Sequence, residues 1–490
     1  MTPAAVIFLM KEVKHILSVV AAVVSLALLP GCFDEEFSTS PSDVLSFSTD
    51  SLRFDTVFTA QGTATRNFMV YNRNGKALMI SSINLADAGN SGFYINVDGM
   101  KGPDIYNMEI SAGDSLYVLV EITAPVSGQN SPLLIKDSVV FVVNGVRQDV
   151  KLEAFGQDAV PLRKVEYADG VHTLNADKPY IVYDSLIVRE NAELVLQPGT
   201  ELCFHSGSSL VVEGKISAKG EEGKPVVMRG DRLDNMFSYL PYDRLAGQWG
   251  GVHVKEKSYD NVFEHVVMRG TVDGLVLDSA DMARNKITIT NSVLHNSTNN
   301  VLTVKQCRAV VRNSELSNAV GALVYMEGGA ADFLQCTLAN YYALFESAKL
   351  PMIYLSRFDD PELAAPAGVS FGNCIVAGNA GVIFPSDVTQ LAVSFRNTLF
   401  TVAGSDDDNF VNCVWGGDPM FNCVGGDIFY YDYRISSPSS PACRAGDETL
   451  LDESLRRDMY GTVRPYGTNP DAGAYQIPPQ QEGSTPPGQE

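Results

Sequence analysis

Long apolar runs are nearly absent from this 490-residue chain, and the single one lies at the N-terminus, so a multi-pass membrane protein is excluded. Basic residues are scarce. Against 58 Asp and Glu stand 36 Lys and Arg, a formal charge of −22, which argues against nucleic acid as a partner because phosphate binding needs a basic surface. It argues equally against direct capture of an acidic polymer unless a cation intervenes. No Cys-x-x-Cys occurs and the six His are scattered, so a zinc site is not expected. No Gly-His-Gly triplet accompanies paired Asp residues, which removes one familiar glycosidase arrangement. Helical periodicity of useful length is also missing beyond the first thirty residues. The expected fold class is therefore all-β.

The N-terminus reads as an address. Lys11 and Lys14 precede an apolar run from Ile16 to Leu29, closed by Pro30-Gly31-Cys32. A positive region, a short apolar core and small residues before a cleavage point describe an export signal. The placement of the lysines favours initiation at Met10. Leu29-Pro30-Gly31-Cys32 resembles the lipobox of bacterial lipoproteins, and the resemblance implies cleavage after Gly31 and acylation of Cys32, with stable anchoring through several chains on one residue. Asp34-Glu35-Glu36 resembles the surface-export signal of Bacteroidetes lipoproteins. The expected location is the outer membrane, facing outward, with residues 1–31 as signal and 32–45 as an acidic tether.

Residues 46–157 carry short alternating runs such as Asn67–Tyr71, Ser115–Val120 and Ser138–Val143, separated by Asn74-Gly75, Asp98-Gly99, Gly113-Asp114 and Asn144-Gly145. Period-two alternation with frequent turn signals predicts an antiparallel sandwich. The stretch is similar to the immunoglobulin-like modules of Bacteroidetes surface lipoproteins, without the Cys–Trp–Cys signature of antibody domains. The expected role is a spacer.

A repeat dominates residues 158–445. Asn291-Ser292-Val293-Leu294-His295-Asn296, Asn313-Ser314-Glu315-Leu316-Ser317-Asn318 and Gln335-Cys336-Thr337-Leu338-Ala339-Asn340 align at steps of 22 residues. A fixed period of this size predicts a solenoid. The leucine-rich pattern is absent, while strand patterns such as Lys286–Thr290 and Arg308–Arg312 precede each Asn. That order describes a parallel β-helix rung with Asn at a bend needing left-handed backbone. About ten to twelve coils are expected. Leu194–Thr200, Leu210–Gly214 and Gly247–Val252 resemble the first coils of right-handed, pectin-lyase-like β-helix proteins. Residues 446–476 resemble their closing segments, and 477–490 is expected to be disordered.

Seven Cys remain after Cys32. Cys336 and Cys374 fall in the slot of Ser292 and Ser314, which predicts small buried thiols and no disulfide framework. Asp406, Asp407 and Asp408 are weak candidates for Ca²⁺; no other metal and no cofactor is expected. Lys255, Arg269, Lys286, Lys305 and Arg308 on successive coils are candidates for one cationic face. Tyr239, Tyr242 and Trp249, around the 230–247 loop, are candidates to stack on a sugar ring or to cap the barrel. The expected function is non-catalytic display of a face that binds glycans or a surface protein. The alternative is a polysaccharide lyase or glycoside hydrolase with non-standard residues. No catalytic residue is singled out.

Overall fold

The structure, a computed structural model, describes residues 36–237, 239–342, 350–356, 368–379, 392–426 and 429–478. Cys32, the signal segment and residues 479–490 lie outside the described residues. Among the described residues there is no α-helix, and no helix is long and apolar enough to cross a membrane.

Two compact units are present. The first comprises the chain up to Arg53 together with Thr63–Ile122 and Lys136–Glu153; the second comprises Phe54–Gly62, Thr123–Ile135 and everything from Ala154 onward. The division is therefore interleaved, not a single cut at residue 157.

In the N-terminal part, one five-stranded sheet holds Arg66–Tyr71, Ser115–Ile122 and Phe93–Val97 as antiparallel neighbours. Another holds Leu78–Leu85 between Asp104–Ile110 and Leu133–Val143, again antiparallel. Alternation decides what is buried: Phe68, Val70, Val118 and Val120 point inward from the first sheet, and Ile80, Ile83, Phe141 and Val143 from the second. Phe68 and Phe141 meet edge-on, with ring centroids 6.3 Å apart. Asn144-Gly145 and Asp98-Gly99 adopt positive φ at both positions, as tight hairpins require. Asn74-Gly75 does not; the Asn74 N–H instead donates to Asn72 Oδ1, and its Nδ2 donates to the Val44 carbonyl.

The second unit is built on one parallel sheet of 25 strands. Each strand pairs with the strand one coil away, so three columns form, an arrangement compatible with a parallel β-helix. Column A contains Val226–Gly230, Val266–Thr271, Val293–Ser297, Glu315–Ala319 and Thr337–Asn340. Column B contains Val252–Val254, Leu275–Leu277, Leu302–Lys305 and Val324–Glu327. Column C contains Asn261–Glu264, Ile287–Thr290, Arg308–Arg312 and Ala330–Leu334. Counting from Val160–Leu174 to Val414–Trp415, column A is eleven strands deep among the described residues, within the range expected from the period.

Register places like over like. Met268, Leu294, Leu316, Leu338 and Val376 are successive partners and all are buried. Fully burying each such side chain contributes about 1.5–3 kcal/mol before entropy is counted. In column C the rings of Phe333, Phe371, Phe395 and Phe410 stack at 4.6, 4.5 and 5.0 Å.

The bend between columns C and A is the position the repeat marks. Asn291, Asn313, Gln335, Asn373, Asn397 and Asn412 all have φ between 50° and 55°, and His265 takes the same place one coil earlier at 47°. Asn tolerates this conformation because its short amide satisfies local backbone groups. In the following slot, Ser292, Ser314 and Thr398 donate to the carbonyl two residues back, and Cys336 and Cys374 do the same through Sγ. All seven described cysteines are free, and Cys203, Cys307, Cys336 and Cys374 are fully buried. The bend amides reach rung to rung only in part: Asn313 bonds Asn291, but most of the remaining capacity goes to the C-terminal segment. Asn373 exchanges two bonds with Asp447, Asn397 donates to Ala445, and Asn313 accepts from Arg464 and donates to Arg457. The chain stays docked through Ile477, whose N–H donates to Asp471.

Candidate functional site

The outward side chains of column A form the floor of a cavity of about 520 Å³. Three successive coils supply Val267 and Arg269, then Val293 and His295, then Glu315 and Ser317. The turn Tyr242–Arg244 of the 231–247 excursion supplies Asp243 and Arg244. The antiparallel pair Phe421–Gly425 and Tyr430–Ile435 supplies Tyr430, Tyr431, Asp432, Tyr433 and Arg434, and the closing segment adds Tyr460 and Tyr475.

Asp243 is held by two guanidinium groups, Arg269 Nε at 2.8 Å and Arg229 Nη1 at 3.0 Å. Burial opposes its charge, but Arg269 and Arg229 prevail and keep the carboxyl below its ordinary range. Glu315 stands in register with Val293 above and Thr337 below, a carboxyl at an otherwise apolar or small position. Burial raises its pKa, and the hydrogen bonds from Ser317 Oγ (2.6 Å) and the Tyr475 hydroxyl only partly offset this. His295 lies between Arg269 and Ser317 in the stack. Burial, then the Arg269 charge, push its pKa down to about 4, so the imidazole is neutral near pH 7. Tyr433 donates to Asn318 Oδ1, and Asp432 grips Arg434 through both carboxylate oxygens. At the mouth Tyr430 and Tyr460 are 44% and 57% exposed.

A second, more open groove of about 770 Å³ lies on column B. There Asp278 sits between Lys255 and Lys305. Asp273 accepts from Asn299 at 2.7 Å. The rings of Tyr325 and Tyr354 stack at 4.9 Å.

The three aromatics singled out from sequence lie apart from this cavity. Trp249 is wholly buried, stacked on Phe204 at 4.0 Å with Nε1 donating to the Arg269 carbonyl, so it is core and offers no face to a sugar. Tyr239 is exposed against Phe237, and Tyr242 lies under Arg232; neither lines the cavity, although Asp243 and Arg244 beside them do. The cationic residues do not share a face. Lys255 and Lys305 project from column B, Arg269 from column A and Arg308 from column C. Lys286 is buried, its Nζ donating to the Lys255 and Glu256 carbonyls. Asp406 accepts from Trp415 Nε1 and Asp407 from the N–H groups of Asn409 and Phe410, so both serve the local turn. With Asp408 they do not converge, and no cluster suited to a metal ion occurs among the described residues. Sequence reasoning missed Glu315, His295 and the tyrosines at 430–433. The available signal was a Glu where the repeat elsewhere carries Val or Thr, and the run Phe429-Tyr430-Tyr431-Asp432-Tyr433.

No family model matches the sequence. No curated protein matches it either. Among solved structures, the chain is similar over 24% of its length to 26% of a family 123 glycoside hydrolase from Clostridium perfringens, a protein described for glycolipid glycan hydrolysis, at 8% identity and a TM-score of 0.17. The match spans about a quarter of either chain, and a likeness of that size extends to neither fold nor activity.

Proposed function

We propose that this chain is a lipid-anchored protein of the bacterial outer surface, in which an immunoglobulin-like sandwich acts as spacer and a right-handed parallel β-helix binds a glycan without cleaving it. The observation that carries this reading is the column A cavity, where tyrosines and charged groups converge over a rigid stack. Sugars present apolar C–H faces to aromatic rings and hydroxyls to charged and polar groups, and Tyr430 and Tyr460 at the rim with Arg269, His295 and Arg434 within suit both demands. A flat face of Thr, Ser and Asn would have favoured adhesion to a protein instead. Binding is preferred to catalysis because the carboxyls lining the cavity are committed: Asp243 to two arginines, Glu315 to two hydroxyls and Asp432 to Arg434.

One observation favours a second reading, a glycoside hydrolase. Glu315 and Asp243 share a cavity in which one pKa is raised and the other lowered, the division of labour that acid and base catalysts need. Incubating the protein with a polysaccharide panel, with and without Ca²⁺, separates the two. Retention of a glycan with no new reducing ends or unsaturated products supports binding. Product formation that Glu315→Gln abolishes supports hydrolysis. Neither retention nor product removes both readings.

A further inference from the structure

We infer that the column A cavity receives the end of a glycan chain, one or two sugar rings, and not an internal stretch of polymer; this rests on the glycan reading above. A site for internal segments on a coil stack is a groove open along the axis, so that the chain continues past it. Here the floor is walled at both axial ends. On the N-terminal side, Asp243 bridges Arg229 and Arg269 across adjacent coils and carries the Tyr242–Arg244 turn over the face. On the C-terminal side, Tyr433, Met459, Ala474 and Tyr475 pack onto Ala339 of the next rung, and the Ala474 N–H is tied to Thr337 Oγ1 at 3.0 Å. Among the described residues, the outward side chains of Arg269 and His295 keep some exposure on the floor while Ser317 is fully buried, so the open part spans one rung step, about 5 Å, and the two coils beside it.

The lateral sides narrow as well. The excursion is pinned to the body by the Tyr342 hydroxyl accepting from the Ala246 N–H, and by Asn296 Nδ2 donating to the Arg244 carbonyl. Tyr342 in turn meets the Tyr431 ring at 6.3 Å. On the opposite flank Arg434 lies over Tyr460 at 5.8 Å, and Tyr460 stacks on Tyr475 at 5.9 Å. What remains is a mouth between Tyr430 and Tyr460. A terminal ring entering there reaches Arg269 and His295 at the floor, while the rest of the chain stays in solvent.

The test is calorimetry of the full chain with oligomers of galacturonate, glucose and mannose, each from one to eight units. For a terminal pocket, affinity for the recognised sugar levels off by the second or third unit, with one protein bound per chain end at every length. Tyr430→Ala weakens it tenfold or more, whereas Thr303→Ala, in the column B groove, leaves it unchanged. Affinity that climbs steadily with length, with several proteins on one long oligomer, would overturn the inference and leave glycan binding standing. Weakening by Thr303→Ala but not by Tyr430→Ala would place the site in the other groove and overturn it too. Absence of binding to every series would remove the inference together with the reading it rests on.

Discussion

Replacing His295 tests how strongly the cavity floor holds an imidazole neutral. In an unfolded chain an imidazole titrates near 6.5, whereas in the fold burial and then the Arg269 charge bring His295 down to about 4. The unfolded state therefore takes up a proton first as pH falls. Stability from this group is whole above about pH 6.5 and is lost progressively down to about pH 4, after which both states are protonated. A shift of this size corresponds to about 3 kcal/mol. His253 and His265, also lowered by burial, add a limb of the same sign, and Glu315, raised, one of the opposite sign. The informative quantity is thus the difference between the native protein and His295→Gln. Urea unfolding followed by tryptophan fluorescence reads the coil stack alone, because the two tryptophans of the sequence, Trp249 and Trp415, both belong to it. The native protein is expected to lose about 3 kcal/mol more than the variant between pH 7 and pH 4. A histidine NMR titration with a midpoint near 4, absent in the variant, reads the same shift without assuming two-state unfolding. Parallel stability curves, or a midpoint near 6.5, would refute a buried, cation-facing imidazole.

Other outcomes follow from the same geometry. Glu315 holds a proton in the fold that the unfolded chain releases, so its contribution is present below pH 4.5 and lost as pH rises through its raised value; Glu315→Gln is expected to melt at the same or higher temperature at pH 7 and to lose that advantage at pH 4. Leu316→Ala leaves a hole between Leu294 and Leu338 and is expected to cost about 3–4 kcal/mol by denaturant titration, against under 1.5 kcal/mol for Leu316→Met. Asn313→Ala combines left-handed backbone with loss of the acceptor for buried Arg464 and is expected to cost about 3 kcal/mol or more, with Asn313→Gly recovering only the backbone share, about 1–2 kcal/mol. Thiol titration is expected to find Cys203, Cys307, Cys336 and Cys374 unreactive until the protein is unfolded, since burial keeps the reagent from the sulfur.

The coil stack was legible because its physics is local and repeated. A bend needing positive φ selects Asn at the same place each turn, and the residue three positions on must fill the interior, so Leu294, Leu316 and Leu338 announce the period unaided. The cavity was not legible, for two reasons. Its walls come from residues 243–244 and 430–475, joined to the floor by contacts between 26 and 160 residues apart in sequence, such as Asp243 with Arg269 and Glu315 with Tyr475. Outward positions also carry no periodic constraint, so Glu315 on the cavity floor and Arg308 on column C look alike until the neighbours are known. Trp249 misled for a related reason. An aromatic next to a long excursion suggests a rim, but column B begins three residues later at Val252, and the ring turns inward onto Phe204.

The lacing of the bend amides by residues 444–476 fixes the order of events during maturation. Coils can settle one after another as the chain emerges, yet the amides of Asn313, Asn373 and Asn397 stay without these partners until the final stretch is delivered. Residues 444–476 thus work as a fastener drawn across coils that precede them. A premature stop that spares every rung would still leave the bends at Asn313, Asn373 and Asn397 unfastened.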